Sequence, residues 1–98
     1  MKDIFKLIGV WAENTFKKST EYSCHLHLQE EVNELHIALR DHNTESIKEE
    51  IADCMIILIH LSYKFKIDVL EEIINKHCIN MLSDWKYNED LGYHKRIK

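Results

Sequence analysis

Ninety-eight residues with 45% apolar and 31% charged side chains describe one globular domain, not a disordered chain, and one small enough that a partner subunit would help it bury its apolar surface. No proline and only two glycines, Gly9 and Gly92, leave few turn formers for a β-rich fold, so long helices are expected. A net charge of −4 provides no positive field for a phosphate backbone and argues against nucleic-acid binding.

Ile4, Phe5, Ile8, Trp11, Ala12 and Phe16 recur at helical spacing and predict a first short helix ending near Thr15. After the polar connector "KKSTEYS", a second helix is expected from about Ser23 to Arg40, with Leu26, Val32, Leu35, Ile37 and Leu39 as its apolar positions. "DHNTES" then breaks the pattern with residues that favour turns and caps. Ser46 followed by Glu49 is a capping-box signature, Thr44 being the alternative cap, and the third helix continues to about Lys64. Asp68 followed by Glu71 opens a fourth helix, which runs through Val69, Leu70, Ile73, Ile74, Ile79, Met81 and Leu82 toward Trp85; the tail from Tyr87 onward is expected to be irregular. The expected fold is all-α, a four-helix antiparallel bundle in a single domain spanning 1–98. Its third helix is apolar nearly all round between Ile51 and Leu61, interrupted only by Asp53 and His60. Such a helix needs cover on most sides, so the bundle is expected to assemble with partner subunits as a homodimer or homotetramer.

Cys24, Cys54 and Cys78 are odd in number, widely spaced and free of a CxxC pair, which fits reduced thiols in a cytoplasm. The opening "MKDIFKLIGVWAENTF" is amphipathic and carries an acid at position 3, unlike a secretory signal. The apolar run 51–61 falls short of the roughly 20 residues needed to cross a bilayer. A cytoplasmic protein without membrane partners is expected.

Candidate chemistry lies in two acidic pairs. "EEVNEL" in the second helix carries Glu31 and Glu34 three residues apart, and the third helix carries Glu50 and Asp53 at the same spacing, so each pair shares a helix face. In an antiparallel hairpin, facing residues share a sequence midpoint, because both helices rise about 1.5 Å per residue. Glu31 with Asp53 and Glu34 with Glu50 both centre on His42, inside the polar breaker. Four carboxylates at one level repel unless neutralised, and a hard divalent cation such as Mg²⁺, with Mn²⁺ as a substitute, neutralises them through oxygen ligands. An E-x-x-E pair alone carries little weight in a chain with 17 acids; the matched spacing, the common midpoint and the apolar neighbours of Asp53 carry the reading. A di-iron bundle would need Glu-x-x-His on two helices, and no Glu here has a His three residues later.

At these residues the chain resembles the MazG-like superfamily of all-α nucleotide pyrophosphohydrolases, whose signature is an E-E-x-x-E frame on one helix and E-x-x-D on the next. Glu30, Glu31 and Glu34 supply the first, and Glu50 and Asp53 the second. "KHCINMLSDW" is similar to the family's K-x-x-x-N-x-x-R-x-W segment through Lys76, Asn80 and Trp85, with Ser83 where Arg is usual; Lys86, Lys95 and Arg96 are candidate replacements for that phosphate contact. "WAENTF" and the "GYH" at 92–94 resemble the phage and bacterial dATP/dGTP diphosphohydrolase (MazZ-like) branch.

The resemblance implies Mg²⁺-dependent hydrolysis of a nucleoside triphosphate, dGTP or dATP by the branch, to the monophosphate and pyrophosphate. It implies Glu31, Glu34, Glu50 and Asp53 as metal ligands and catalytic residues. Lys76 and Asn80, one turn apart, would contact phosphate, and Trp11 and Trp85 could stack on the base. Without the resemblance, Lys76 and Asn80 read better as solvated helix residues, and Trp11 and Trp85 read equally well as core. The competing class is a non-catalytic helical interaction module whose oily third helix binds a protein partner.

Overall fold

The computed structural model describes residues 2–98, which form α1 (Lys2–Thr15), α2 (Glu21–Arg40), α3 (Thr44–Lys64), α4 (Val69–Met81), β1 (Trp85–Asn88) and β2 (Tyr93–Arg96). Two compact units divide the chain after Asp68: α1 to α3 make the first, and α4 with the β-hairpin makes the second. Among the described residues, no helix is long and apolar enough to cross a membrane.

Side-chain caps set where the helices begin. Thr20 is extended and its Oγ1 accepts the Ser23 amide at 3.1 Å, while the Ser23 Oγ accepts the Thr20 amide at 2.7 Å. This reciprocal box starts α2 at Glu21, ahead of the expected Ser23. For α3 the cap is Asn43, whose Oδ1 accepts the Ser46 amide at 3.2 Å. Neither Ser46 nor Thr44 caps this helix; Ser46 is the capped residue in the first turn.

Both long helices end without glycine. The α2 end closes with the His42 amide on the Leu39 carbonyl and the Asn43 amide on the Ala38 carbonyl, with His42 left-handed at φ 53°. At the α3 end, Lys66 (φ 57°) donates to Tyr63 and Ile67 donates to Ser62. These are paired C-terminal closures of the Schellman type. A side chain in that conformation costs about 1 kcal/mol, which the chain tolerates at two corners. His42 is therefore the hairpin pivot that the shared midpoint requires.

Within the first unit, α2 and α3 pack along a seam of residues spaced three and four apart. Cys24, His27, Glu31, Glu34 and Ala38 form one side, and Ser46, Glu50, Asp53, Ile57 and His60 form the other, every pair centred on His42. Cys24 Sγ lies 3.8 Å from His60 Nδ1, which locks the register at the end away from the corner. Among the described residues the buried ones are few: Gly9, Ala12, Cys24, Ala38, Ile57, Ile59 and the polar His60. α1 reaches α3 through Gly9, where an added Cβ would lie 2.6 Å from ring atoms of Tyr63.

Asp53 does not sit in an oily pocket. The seam turns it toward α2, where it remains exposed, and turns the apolar residues outward instead. Ile51, Met55 and Leu58, at helical spacing on one face of α3, are 50%, 45% and 42% exposed.

The second unit departs from the all-α expectation. α4 stops at Met81, short of Trp85, and the tail expected to be irregular forms a hairpin pairing Trp85 with Arg96 and Asn88 with Tyr93. Asn88 organises the turn: its carbonyl accepts the Gly92 amide (2.8 Å) and its Oδ1 the Leu91 amide (3.0 Å), with Gly92 left-handed at φ 81°. Trp85 Nε1 donates to the Asn80 carbonyl at 2.9 Å, and Tyr87 meets His94 edge-on across the strands.

Two substitutions test these packing and turn arguments in urea unfolding. Gly9→Ala lowers stability by up to about 2 kcal/mol, an overpacking cost of about 1–3 kcal/mol offset by the roughly 1 kcal/mol gain in helix propensity. Lys66→Gly raises stability by about 1 kcal/mol by removing left-handed strain.

Candidate active site

Glu31 from α2 and Glu50 and Asp53 from α3 bring one carboxylate oxygen each within 4.8 Å of one another. Helical rise and the corner at His42 create this meeting: each residue occupies a seam position that an ordinary helical pair fills with an apolar side chain. Glu31 Oε2 and Glu50 Oε2 are buried without a hydrogen-bond partner. Two orphaned carboxyl oxygens in one place are costly. A hard divalent cation satisfies such a donor set, so the residues present fit a metal centre, with Glu31, Glu50 and Asp53 as the side chains that would hold it.

Glu34 stands next to Glu50, outside the three-residue cluster. Burial pushes the Glu50 carboxyl above its ordinary 4.5, and the hydrogen bonds and negative charges of Glu31 and Glu34 push it further, to about 7. Near neutral pH the seam therefore retains a proton, which relieves repulsion while no cation is held. Cys54 feels the same field. Burial, then the charges of Glu31, Glu50 and Asp53, raise its thiol above the usual range.

Glu31 is oriented from one turn earlier by His27, whose Nε2 lies 3.3 Å from Glu31 Oε1. That contact occupies one oxygen and leaves the other facing the cluster.

A cavity of about 850 Å³ opens beside the carboxylates, within the size range of small-ligand sites. Glu31 and Asp53 line it, as do Trp11, Phe16, Ile56, Ile57 and His60. Trp11 meets Phe16 edge-to-face at 5.4 Å, and Phe16 lies 6.3 Å from the His60 ring. One wall is thus acidic and another aromatic.

A part-buried polar relay supports the aromatic wall. His60 Nε2 lies 2.7 Å from Glu13 Oε2; because a carboxylate only accepts, the ring proton sits on Nε2. Glu13 also takes Lys64 Nζ at 3.0 Å, and both partners hold its carboxyl below the ordinary value, His60 foremost.

Of the residues singled out from sequence, Glu31, Glu50 and Asp53 meet, Glu34 adjoins them, and Trp11 lines the same cavity. Lys76, Asn80 and Trp85 belong to the second unit, where Asn80 contributes its carbonyl to the Trp85 indole. The Ser83 hydroxyl donates back to the Ile79 carbonyl at 2.7 Å and takes no cation's place. Sequence reasoning missed Phe16 as a cavity residue, His27 as the partner of Glu31, and the Glu13–His60–Lys64 relay. The one available signal was the pairing of His60 with Lys64 a turn later inside an otherwise oily stretch.

The pattern that defines the MazG nucleotide pyrophosphohydrolase domain matches residues 19–78, a span that holds both acidic pairs. The chain is 33% identical over 97 residues to a dATP/dGTP diphosphohydrolase of Salmonella phage PMBT28, an alignment covering 97% of this chain and 31% of that protein; it spans about a third of the length of this curated relative. A solved structure, the cyanophage S-2L MazG-like pyrophosphohydrolase bound to dGDP and three catalytic Mn²⁺ ions per active site, superposes with a TM-score of 0.76 at 25% identity, covering 98% of this chain and 95% of that one. With the acidic seam, these matches place the chain in the MazG nucleotide pyrophosphohydrolase domain family.

Proposed function

We propose that the protein hydrolyses a purine deoxynucleoside triphosphate, dGTP or dATP, to the monophosphate and pyrophosphate, with Mg²⁺ or Mn²⁺ held by the acidic seam. The observation that carries this reading is the convergence of Glu31, Glu50 and Asp53 beside the aromatic-walled cavity, with two of their oxygens unsatisfied. The phage relative's name and the dGDP in the cyanophage structure support the choice of base.

Divalent cations held there supply the charge that offsets the triphosphate and the charge developing at its α-phosphorus. Glu31, Glu50 and Asp53 bind, and His27 keeps Glu31 aligned. Glu34, hydrogen-bonded to Glu50 and outside the closest cluster, is the carboxylate we assign to orienting the attacking water and taking its proton. The cavity wall of Trp11, Phe16 and His60 receives the base. Lys76 and Asn80 remain phosphate contacts in this proposal, and Trp85 a second aromatic contact. The 98 residues act as one MazG-like domain. The outward stripe of Ile51, Met55 and Leu58 is large enough in residue size to need cover; we assign it to a second copy, as a homodimer or homotetramer. That stripe is also the one feature favouring an interaction module, and the assay below separates the two.

With Mg²⁺ or Mn²⁺, the purified protein should release pyrophosphate and a monophosphate from a deoxypurine triphosphate, and Glu50→Gln or Asp53→Asn should reduce the rate by at least about a hundredfold. Intact triphosphates after incubation of the wild type with either metal would move the assignment to the interaction module.

Raised to about 7, the Glu50 carboxyl makes the stability of the metal-free chain depend on pH. Below 4.5 the carboxyl is protonated in folded and unfolded chains alike; between 4.5 and 7 only the folded chain keeps the proton, so stability without metal falls as pH rises through that window. Thermal unfolding in chelator should show this loss in the wild type, and Glu50→Gln should remove that part of it. Added Mn²⁺ should raise the wild-type midpoint most above pH 7, where Glu50 has given up its proton.

A further inference from the structure

The cavity that receives the carboxylates on one wall carries free cations on another. Lys17 and Lys18, in the connector between α1 and α2, line it together with Glu31 and Asp53. Both are exposed, and neither makes an ion pair or hydrogen bond among the described residues. Lys48 pairs with Glu45 and Lys64 with Glu13, while Lys6 and Lys66 do not line the cavity.

Their backbone is held from several sides. The Phe16 amide donates to the Ala12 carbonyl at 2.8 Å and the Ser19 amide to the Phe16 carbonyl at 2.9 Å, closing the turn that carries both lysines. Lys64, its side chain 8% exposed, donates Nζ to the Ser19 carbonyl at 2.8 Å while Glu13 and His60 fix it from the other side. The Thr20–Ser23 box then anchors the connector's end to α2. A fixed backbone with unpaired cationic side chains is arranged for an anion, because little further ordering is needed on binding.

Charge balance indicates which anion. Three carboxylates absorb much of the charge of whatever cations they hold, so a triphosphate in the same cavity needs positive groups from elsewhere. Within the first unit, Lys17 and Lys18 are the cationic side chains that share the cavity with the acids.

We propose that Lys17 and Lys18 form a polyphosphate clamp, gripping the phosphate chain of the nucleotide in the cavity they share with the metal-holding carboxylates. The clamp rests on the nucleotide reading above and deepens it, since it assigns the connector a part in recognising phosphate. Lysine suits the task as a point charge on a flexible stem that can follow a chain of oxygens.

The test is calorimetric titration of the full chain with inorganic tripolyphosphate in Mn²⁺ buffer. Lys17→Ala/Lys18→Ala should weaken binding about tenfold or more, the loss of charge-assisted bonds to phosphate, and should flatten its dependence on salt. Lys17→Arg/Lys18→Arg should recover most of the affinity. Lys6→Ala/Lys48→Ala, which removes the same charge outside the cavity, should bind within about twofold of wild type. Thermal unfolding identifies any variant that has lost its fold, and the Arg pair then serves as the folded reference. An Ala pair that is folded and binds tripolyphosphate as the wild type does, or a control pair that weakens binding equally, overturns the clamp. Because the titration needs no turnover, its result is separate from the pyrophosphate assay: the clamp can fail while the reaction stands.

Discussion

Mutual repulsion among carboxylates at the α2–α3 seam is the constraint around which the first unit is organised. Helix pairs normally bury apolar side chains at positions spaced three and four apart, yet here the middle of the seam holds Glu31, Glu34, Glu50 and Asp53. The pairing is held together elsewhere. Ala38 allows close approach near the corner, Ile57 fills the seam beyond the acids, and Cys24 meets His60 at the far end. The two paired amide closures at His42 and the Asn43 cap fix the corner itself. The remaining strain is concentrated at Glu50, which keeps a proton that an exposed glutamate would have lost. Binding of a divalent cation would exchange that proton for a stronger partner, which ties occupancy of the site to the rigidity of the hairpin.

The same placement explains the distribution of oil. With polar residues occupying the inward seam, the long aliphatic side chains of α3 must point elsewhere, and Ile51, Met55 and Leu58 point outward. Site and surface are two sides of one helix. Among the described residues of the first unit no further helix covers that stripe, so the second copy proposed above would meet α3 on the face turned away from the acids.

How much was legible in the sequence follows from which quantities are local and regular. The meeting of Glu31 with Asp53 could be anticipated because helical rise is constant and the breaker was short; only the pivot had to be placed, and it falls on His42. The cap of α3 was misjudged because Ser46, Thr44 and Asn43 are all competent acceptors, and the left-handed residue before Asn43 decides among them. The hairpin went unseen because Trp85 to Asn88 and Tyr93 to Arg96 are four-residue strands, too short for periodicity to register. Nothing in the primary pattern pairs Glu13 with His60, 47 positions away; that contact depends on how α1 lies across α3, which Gly9 permits by letting Tyr63 come close.

Cys54 sits among the acids, and its thiol is held in the protonated form by burial and by the charges of Glu31, Glu50 and Asp53. Thiolate, not thiol, is the form that attacks electrophiles and is readily oxidised. The crowding of negative charge at the seam thus also leaves its neighbouring sulfur chemically quiet.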